Sequence, residues 1–450
     1  MPQFRDPIHG FIFISDDEQK IVDSAPFQRL RHIRQLATTY LVYHGAEHTR
    51  FGHSIGTMHL VTRVFDFVVS KKPKLFRENV QENEVVIMWY RQILRLIALT
   101  HDLGHSPFSH ASEVKNFKHE EYTKKIIEET VVAKYISEIG EKLHKDLAGK
   151  LEISPGELQK KYKVRPITPE LIWMIYGGKP RAGEEYIWPD FVFLHSFMDS
   201  ELDCDKMDYL LRDSLYCGVT YGRYDLDRFI SSLTVYENKK ENVLLLAISS
   251  GGLQAFEEFV LARYFMFIQV YFHKTRRYFD HLLVKGLREI LPKGNFPKDI
   301  HSYLKWDDIS VLYKMKQKAT ASTQEYFDRK AMSCVYESSA HAKGSDRRYA
   351  RSLFSELEKN FSHTSFWFDS SNKKPHKLLP TAYSPEDDSG EGIKVLDKHT
   401  HEAKNVMDCS LILQGIVDRI DICRIYASGD CEEIKKIRDW INAKHAEYSE

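Results

Sequence analysis

His101 and Asp102 stand side by side and are followed by His105 and His110, so three imidazoles and one carboxylate fall within ten residues. Burying such groups together is costly unless a metal or a bound anion compensates them. A bare His-Asp pair is more often a polar helix end, because short motifs match by chance. Adjacent residues lie about 100° apart around a helix, so both lean towards one cation only near a helix terminus. Such a pair needs further ligands from elsewhere in the chain.

The elements that must position these groups follow from periodicity. Leu94, Ile97 and Ala98 mark the apolar face of a buried helix that ends at His101, and Gly104 and Pro107 then break it into an irregular turn. Upstream, Arg5 to Gly10 is a turn leading into a short strand. A helical pattern starts at Asp16, and Pro26 suits a second helix start. Phe27, Leu30 and Ile33 share a face that leaves Gln28, Arg31 and Gln35 on solvated ones. After Gly45 a helix carries His53, Met58, Val61 and Phe65, with Arg50 just ahead, and His119-Glu120 opens another. Residues 144–186, rich in Gly, Pro and charge, read as a surface excursion.

The next helical block interleaves Leu202, Met207, Leu210 and Leu211 with Asp203, Asp205, Asp208 and Asp213, an awkward load of aspartate for a simple surface helix. Any of the four could supply a second carboxylate. A strand over 243–248 precedes a long aromatic helix on which Arg263, Tyr271 and Lys274 would share a cavity-facing edge. Beyond about 295 the texture changes. Lys305 to Lys318 is helical, Thr364 to Lys374 and Pro380 to Gly392 are loop-rich, and Ile422 to Tyr426 is a strand. The expected class is mainly α, with a helical core over 1–290 and a smaller α+β lobe over 291–450.

Composition narrows the function. Lys plus Arg equals Asp plus Glu at 64 each in 450 residues, so no global field marks a nucleic-acid or membrane partner. No signal core or membrane-length apolar run is present, and six cysteines without a CxxC pair fit reduced thiols in a cytoplasmic protein.

Taken together, His53, His101-Asp102 and Asp205 resemble the H…HD…D pattern of HD-domain metal phosphohydrolases. DPIHG, FQRLRHIRQL, HTRFGHS, THDLGHSPFSH and DKMDYLLRDS stand in the order of the deoxynucleoside triphosphate triphosphohydrolase branch, and ARYFMFIQVYFHK looks like its bacterial form. The resemblance covers roughly residues 4–290. It implies an HD-domain helical core and picks Asp205 from the four aspartates. Two imidazoles and two carboxylates suit one divalent iron, manganese, zinc or nickel ion without distinguishing them, with magnesium accompanying the nucleotide.

By the same resemblance the reaction is hydrolysis of a dNTP at the α-phosphate, giving deoxynucleoside and inorganic triphosphate. His110 matches the proposed acid, Glu113 would orient it, and His105, His119 and Glu120 complete a polar surround. Arg50, Lys206 and Arg263 match phosphate contacts, Tyr209 and Tyr271 wall the sugar, and Gln35, Leu36 and Asp213 meet its edge. Asp23, Gln28 and Arg31, with Arg228 beside them, match a guanine-nucleotide activator site that would couple activity to a homo-oligomer, dimer or tetramer. The chain departs from the eukaryotic pattern at Phe267 for histidine, Phe272 for glutamine, Ala37 for glycine and Gly52 for glutamate, which opens the choice of base. The alternatives are an HD phosphohydrolase acting on another nucleotide or single-stranded nucleic acid, and a nucleotide-binding regulator without turnover.

Overall fold

The computed structural model describes every residue except Met1, Pro73, 114–116, 179–187, 240–241, 374–391, His401, 417–418 and Glu450. The chain opens with an antiparallel hairpin, β1 (Gln3–Asp6) and β2 (Gly10–Phe13), followed by α1 (Asp16–Val22) and α2 (Ala25–Gln28). Ser15 caps α1 in a reciprocal capping box with Glu18. The centre is the pair α3 (Arg50–Ser70) and α4 (Val80–Thr100), whose contacting faces are buried from Ile55 to Val69 and from Val85 to Leu99. Around them lie α5 (His119–Glu129), α6 (Val131–Lys150), α7 (Pro155–Tyr162), α8 (Pro169–Tyr176), α9 (Trp188–Ser196) and α10 (Cys204–Cys217).

The expected surface excursion over 144–186 is overturned for its described part. Leu158, Tyr162, Val164, Ile167, Leu171, Ile172 and Ile175 are buried in the main core. Its Ser, Pro and Thr residues are caps: Ser154 with Glu157 starts α7, and Thr168 with Pro169 starts α8. Residues 179–187 of that stretch lie outside the described residues.

The chain continues through α11 (Leu226–Ser232), β3 (Leu233–Asn238), β4 (Val243–Ser249), α12 (Leu253–Met266) and α13 (Lys274–Ile290). The expected single aromatic helix is broken by a π-helical turn at Phe267–Tyr271, and His273 caps α13. The extra residue rotates the register, so Tyr271 faces the core while Lys274 is exposed and does not share the edge expected of it. Next come α14 (Ile300–Tyr303), α15 (Asp308–Lys318) and α16 (Ala321–Phe327), which pack on the main core through Tyr303, Val311, Met315 and Tyr326.

The remainder comprises β5 (Ser333–Glu337), α17 (Gly344–Asn360), β6 (Phe366–Lys373), β7 (Lys394–Leu396), β8 (Ala403–Asn405), α18 (Val406–Cys409), α19 (Leu411–Gly415), β9 (Ile420–Ala427) and α20 (Cys431–Ser449). One sheet runs β5-β9-β6, antiparallel throughout, and another runs β3-β4-β7-β8 with β4 and β7 parallel. Alternate residues of the wholly buried β9 serve two cores. Ile425 and Ala427 meet Leu353, Leu357 and Ile437 of α17 and α20, while Tyr426 faces Tyr278 and Trp367. Of the expected loop Thr364 to Lys374, residue 374 lies outside the described residues and Phe366–Lys373 forms β6 instead. Its Ser and Asn residues weaken the strand signal, yet eight residues pair with β9 and Asp369 receives two hydrogen bonds from Arg277. Of the second expected loop, residues 380–391 lie outside the described residues. The protein is mainly helical, with a smaller sheet-containing C-terminal region.

Candidate metal and nucleotide site

α4 ends where the His-Asp pair begins: its N–H···O ladder closes on His101, whose Nδ1 donates to the Ala98 carbonyl at 2.7 Å. That bond fixes the tautomer and turns the Nε2 lone pair inward. His53, in the first turn of α3, donates from Nδ1 to Asp208 at 2.8 Å and likewise frees its Nε2. Both Nε2 atoms are buried and have no hydrogen-bond partner among the described residues. Oδ1 of Asp205, from the first turn of α10, lies 2.8 Å from Nε2 of His53 and 3.7 Å from that of His101. The Asp102 carboxylate is 3.4 Å from His101 and 3.6 Å from His53. Donors bound to one cation at about 2.1 Å are separated by roughly 3.0–3.4 Å, and His53, His101 and Asp102 cluster closely enough to hold a divalent metal, with Asp205 beside the two imidazoles. His53, His101 and Asp102 are nearly inaccessible, whereas the Asp205 side chain is 33 % exposed and leaves the site open on that side.

The electrostatics make the same demand for a cation. Burial alone would lower the His53 pKa, but the neighbouring carboxylates of Asp205 and Asp208 raise it to about 10. Burial also opposes ionisation of Asp102, yet Arg50 and His101 hold it well below the usual carboxylate range. Two ionised carboxylates on two imidazoles ask for positive charge, which a divalent ion supplies without protonating its ligands.

Beside this centre lies the turn of His105 to Glu113. His105 Nε2 is 3.2 Å from Asp102, and its ring stacks on His119 at 3.9 Å with the planes 16° apart. Close approach of α5 is possible because residue 104 is glycine; a Cβ there would overlap the His119 carbonyl and the Thr123 amide. Glu113 accepts from Nδ1 of both His110 (2.9 Å) and His119 (3.0 Å). Glu120 stands 3.6 Å from His119. His105, His110, Glu113 and His119 cluster as metal ligands would, but the parallel stacked rings of His105 and His119 cannot both aim in-plane lone pairs at one ion. The turn is strained: Phe108 and Ser109 have φ of 60° and 53°. It is pinned by Asp308, which accepts from the amides of Phe108 (2.7 Å) and Arg34 (3.0 Å), and by Ser109, which donates to the Arg34 carbonyl at 2.6 Å.

All three expected phosphate cations are near, and each is already paired. Arg50 donates to Asp102 (2.5 Å) and Ser109, Lys206 to Asp203 and the Ser200 carbonyl, and Arg263 to Glu201 at 3.3 Å. The sugar-side residues form one chain: Tyr271 donates to Asp213 at 2.7 Å, Asp213 meets His48 at 2.8 Å, and the His48 carbonyl accepts the Gln35 amide. Leu36 is buried beside Gln35, whose side-chain carbonyl has no partner, and the Tyr209 ring lies 6.4 Å from that of Tyr271. The expected activator group is only partly assembled. Arg31 donates to Gln28 at 2.9 Å and covers the Phe51 ring, Asp23 is exposed at the end of α1, and Arg228 is tied instead to Gly251 and Asp225.

The HD domain family matches residues 50–174. The chain is an HD-domain protein. The HD associated region matches residues 224–356, so His53, His101, Asp102 and the turn of His105 to Glu113 lie in the HD domain, Asp205 falls between the two matches, and Arg263 and Asp308 lie in the associated region. Relatives include an uncharacterized Bacillus subtilis protein, YwfO, 34% identical over 63% of this chain and 54% of that protein. The zebrafish deoxynucleoside triphosphate triphosphohydrolase SAMHD1 is 31% identical over 53% of this chain and 37% of its own. The chain thus spans about half the length of the curated relatives it matches first, or 54% of each of the first two. Among solved structures, a hypothetical protein from Aquifex aeolicus superposes with a TM-score of 0.70 at 29% identity, covering 97% of this chain and 99% of that one. A Bacteroides thetaiotaomicron phosphohydrolase shares the fold, with a TM-score of 0.63 at 23% identity over 95% of this chain and 100% of that one. Among the described residues no helix is long and apolar enough to cross a membrane.

The sequence gives no role to His48 or Asp308, leaves Asp208 as one of four alike aspartates, and shows Asp6, His9 and Arg212 only inside family-like motifs. All six are buried or half-buried around the HD-domain site, and their partners stand up to 206 residues away. Helical spacing pairs Asp208 with Asp205 and Arg212, which is the one clue to its position.

Proposed function

We propose that the protein hydrolyses deoxynucleoside triphosphates to deoxynucleoside and inorganic triphosphate in a metal-dependent reaction. The observation that carries the reading is the pair of buried, unpartnered imidazole Nε2 atoms facing Asp102 and Asp205, beside Arg50, Lys206 and Arg263. A divalent ion held by His53, His101, Asp102 and Asp205 would supply Lewis acidity towards a phosphoryl oxygen or water. The chain's own groups do the rest. Arg50, Lys206 and Arg263 exchange their carboxylate partners for phosphate oxygens, and Tyr271 and Asp213 bound the sugar. Water adds to the α-phosphorus, the bond to the 5′-oxygen breaks, that oxygen takes a proton from Nε2 of His110, whose Nδ1 is held by Glu113, and the proton lost by the water passes to solvent, from which His110 is reprotonated. Partial burial opposes ionisation of Glu113, but the hydrogen bonds from His110 and His119 hold its carboxyl well below the usual carboxylate range and keep that orienting group charged.

A second reading, hydrolysis of another phosphate ester, gains support from the existing neutralisation of Lys206 by Asp203 and of Arg263 by Glu201. Incubation with Mn²⁺ and a panel of nucleotides decides between them. Release of intact triphosphate from dNTPs is expected, and release of phosphate or pyrophosphate alone would refute the reading. Parallel reactions with added dGTP or GTP test guanine-nucleotide activation, and light scattering tests the homo-oligomer.

A further inference from the structure

The DPIHG motif, residues 6–10, makes no contact with the metal ligands' donor atoms, yet two of its side chains lie beneath them. Asp6 closes the β1–β2 turn by accepting the amides of Ile8 (2.8 Å) and His9 (3.0 Å), and its other oxygen accepts from Arg212 at 2.9 Å. His9 donates from Nε2 to Asp208 Oδ1 at 2.7 Å. The second oxygen of Asp208 accepts from Nδ1 of His53 at 2.8 Å, and Arg212 reaches both oxygens through Nε (2.8 Å) and NH2 (2.9 Å). The side chains of His9, Asp208 and His53 are 1 %, 0 % and 1 % exposed.

We propose that His9 is a positioning residue for the metal ligand His53, acting through Asp208, so that the seat of the N-terminal hairpin governs retention of the metal. The inference rests on the metal-site reading above. An ionised carboxylate offers about four acceptor positions, and those of Asp208 are filled by His53, His9 and two Arg212 donors. Without His9, one oxygen keeps only an arginine donor. The carboxylate then turns towards that charge, and the His53 ring loses the fixed acceptor that holds its tautomer and orientation. The coupling runs both ways, because a two-stranded hairpin is marginal alone and β1–β2 leaves Phe11 and Phe13 about half exposed. Its anchors are Ile12 and Ile14 in the core together with Asp6 and His9 in this network. Whatever the hairpin contributes to the metal, the metal contributes to the hairpin.

The test uses the full chain loaded with Mn²⁺ and follows metal loss to a chelator by elemental analysis, alongside amide exchange of residues 3–13. H9F keeps a ring against His59, 5.4 Å away between centroids, but has no donor. H9Q keeps a donor without the ring. Expected are a 10- to 100-fold weaker hold on metal in H9F, recovery to within about threefold in H9Q, and faster exchange of residues 3–13 in the wild type once metal is removed. Wild-type retention by H9F, or loss in both variants alike, would overturn the proposal. So would hairpin exchange that ignores the metal, a measurement that needs no variant. A wild type that takes up no metal would instead bring down the metal-site reading itself.

Discussion

Replacing Asp205 by asparagine separates the metal from the fold. Its Oδ1 lies 2.8 Å from His53 and 3.7 Å from His101, but its side chain is one-third exposed at the open side of the site. Packing therefore loses little, and a stability change within about 1 kcal/mol is expected. The charge matters more than the contact. Asp102 is shared with Arg50 at 2.5 Å, so Asp205 is the less compensated negative group around the cation. Losing it leaves a divalent ion facing one carboxylate that an arginine already half-neutralises. If that removes about 4 kcal/mol of transition-state stabilisation, turnover falls roughly a thousandfold. Elemental analysis, a triphosphate-release assay and thermal unfolding on the same sample read the three quantities. Asp203→Ala is the control: Asp203 caps α10 by accepting the Lys206 amide at 2.8 Å and pairs with the Lys206 ammonium, so it should cost about 1 to 3 kcal/mol in stability and keep the metal. If D205N keeps its metal and turns over within threefold of the wild type, the four-ligand centre is wrong.

Buried carboxylates elsewhere give pH signatures of opposite sign. Glu18 is held by two 2.7 Å bonds from Arg95, and although burial opposes it, Arg95 lowers its pKa below 4.5. That stabilisation is full above pH 4.5 and is lost as pH falls through the folded value. E18Q should cost about 3 kcal/mol near neutrality and flatten the acid limb of urea unfolding; an unchanged acid limb would refute it. Asp308 runs the other way, since burial raises it to about 7 against the pull of the Arg34 and Phe108 amides. Its contribution is greatest below pH 3.8 and declines as pH rises through 7, so D308N should remove that slope between 4 and 7. Ala37 has a φ of 51°, so Ala37→Gly should raise the stability measured by urea unfolding by up to about 1 kcal/mol; a lower midpoint would count against the strain. Gly56→Ala would drive a Cβ into the Asp208 carboxylate and the Arg212 guanidinium. It should weaken metal binding at least tenfold, measurable by chelator competition, and wild-type affinity would exclude the Asp208 support.

What the residues foretold, and what they hid, divides by distance along the chain. The end of α4 at the His-Asp pair follows from an apolar stripe that runs out at Thr100 and from Gly104 and Pro107 just beyond. Such information is local, and periodicity carries it. The four aspartates of the α10 block looked alike. In the fold they diverge, since Asp203 caps the helix, Asp205 faces the imidazoles, Asp208 holds His53 and Asp213 meets His48 and Tyr271. Their partners come from α3, the N-terminal hairpin and the π turn, and one sequence does not reveal such pairings. The errors were also local in kind. Capping residues before α7 and α8 passed for loop composition, and the polar face of β6 hid a strand whose partner lies about fifty residues on.

The separate family matches over the HD domain and the associated region describe one working unit. His110 reaches its place only because Phe108 and Ser109 adopt left-handed backbone, a conformation that costs a non-glycine residue on the order of 1 kcal/mol or more each. The bond that offsets this at Phe108 comes from Asp308, 200 residues away in the associated region. Arg29 reinforces the link by donating to the Trp306 carbonyl at 2.8 Å and lying over the Tyr303 ring. A chain cut after α13 would keep His53, His101, Asp102 and Asp205 but release the turn that carries His110. On the proposed reading such a fragment should bind metal and fail at proton transfer, and the intact chain should do both.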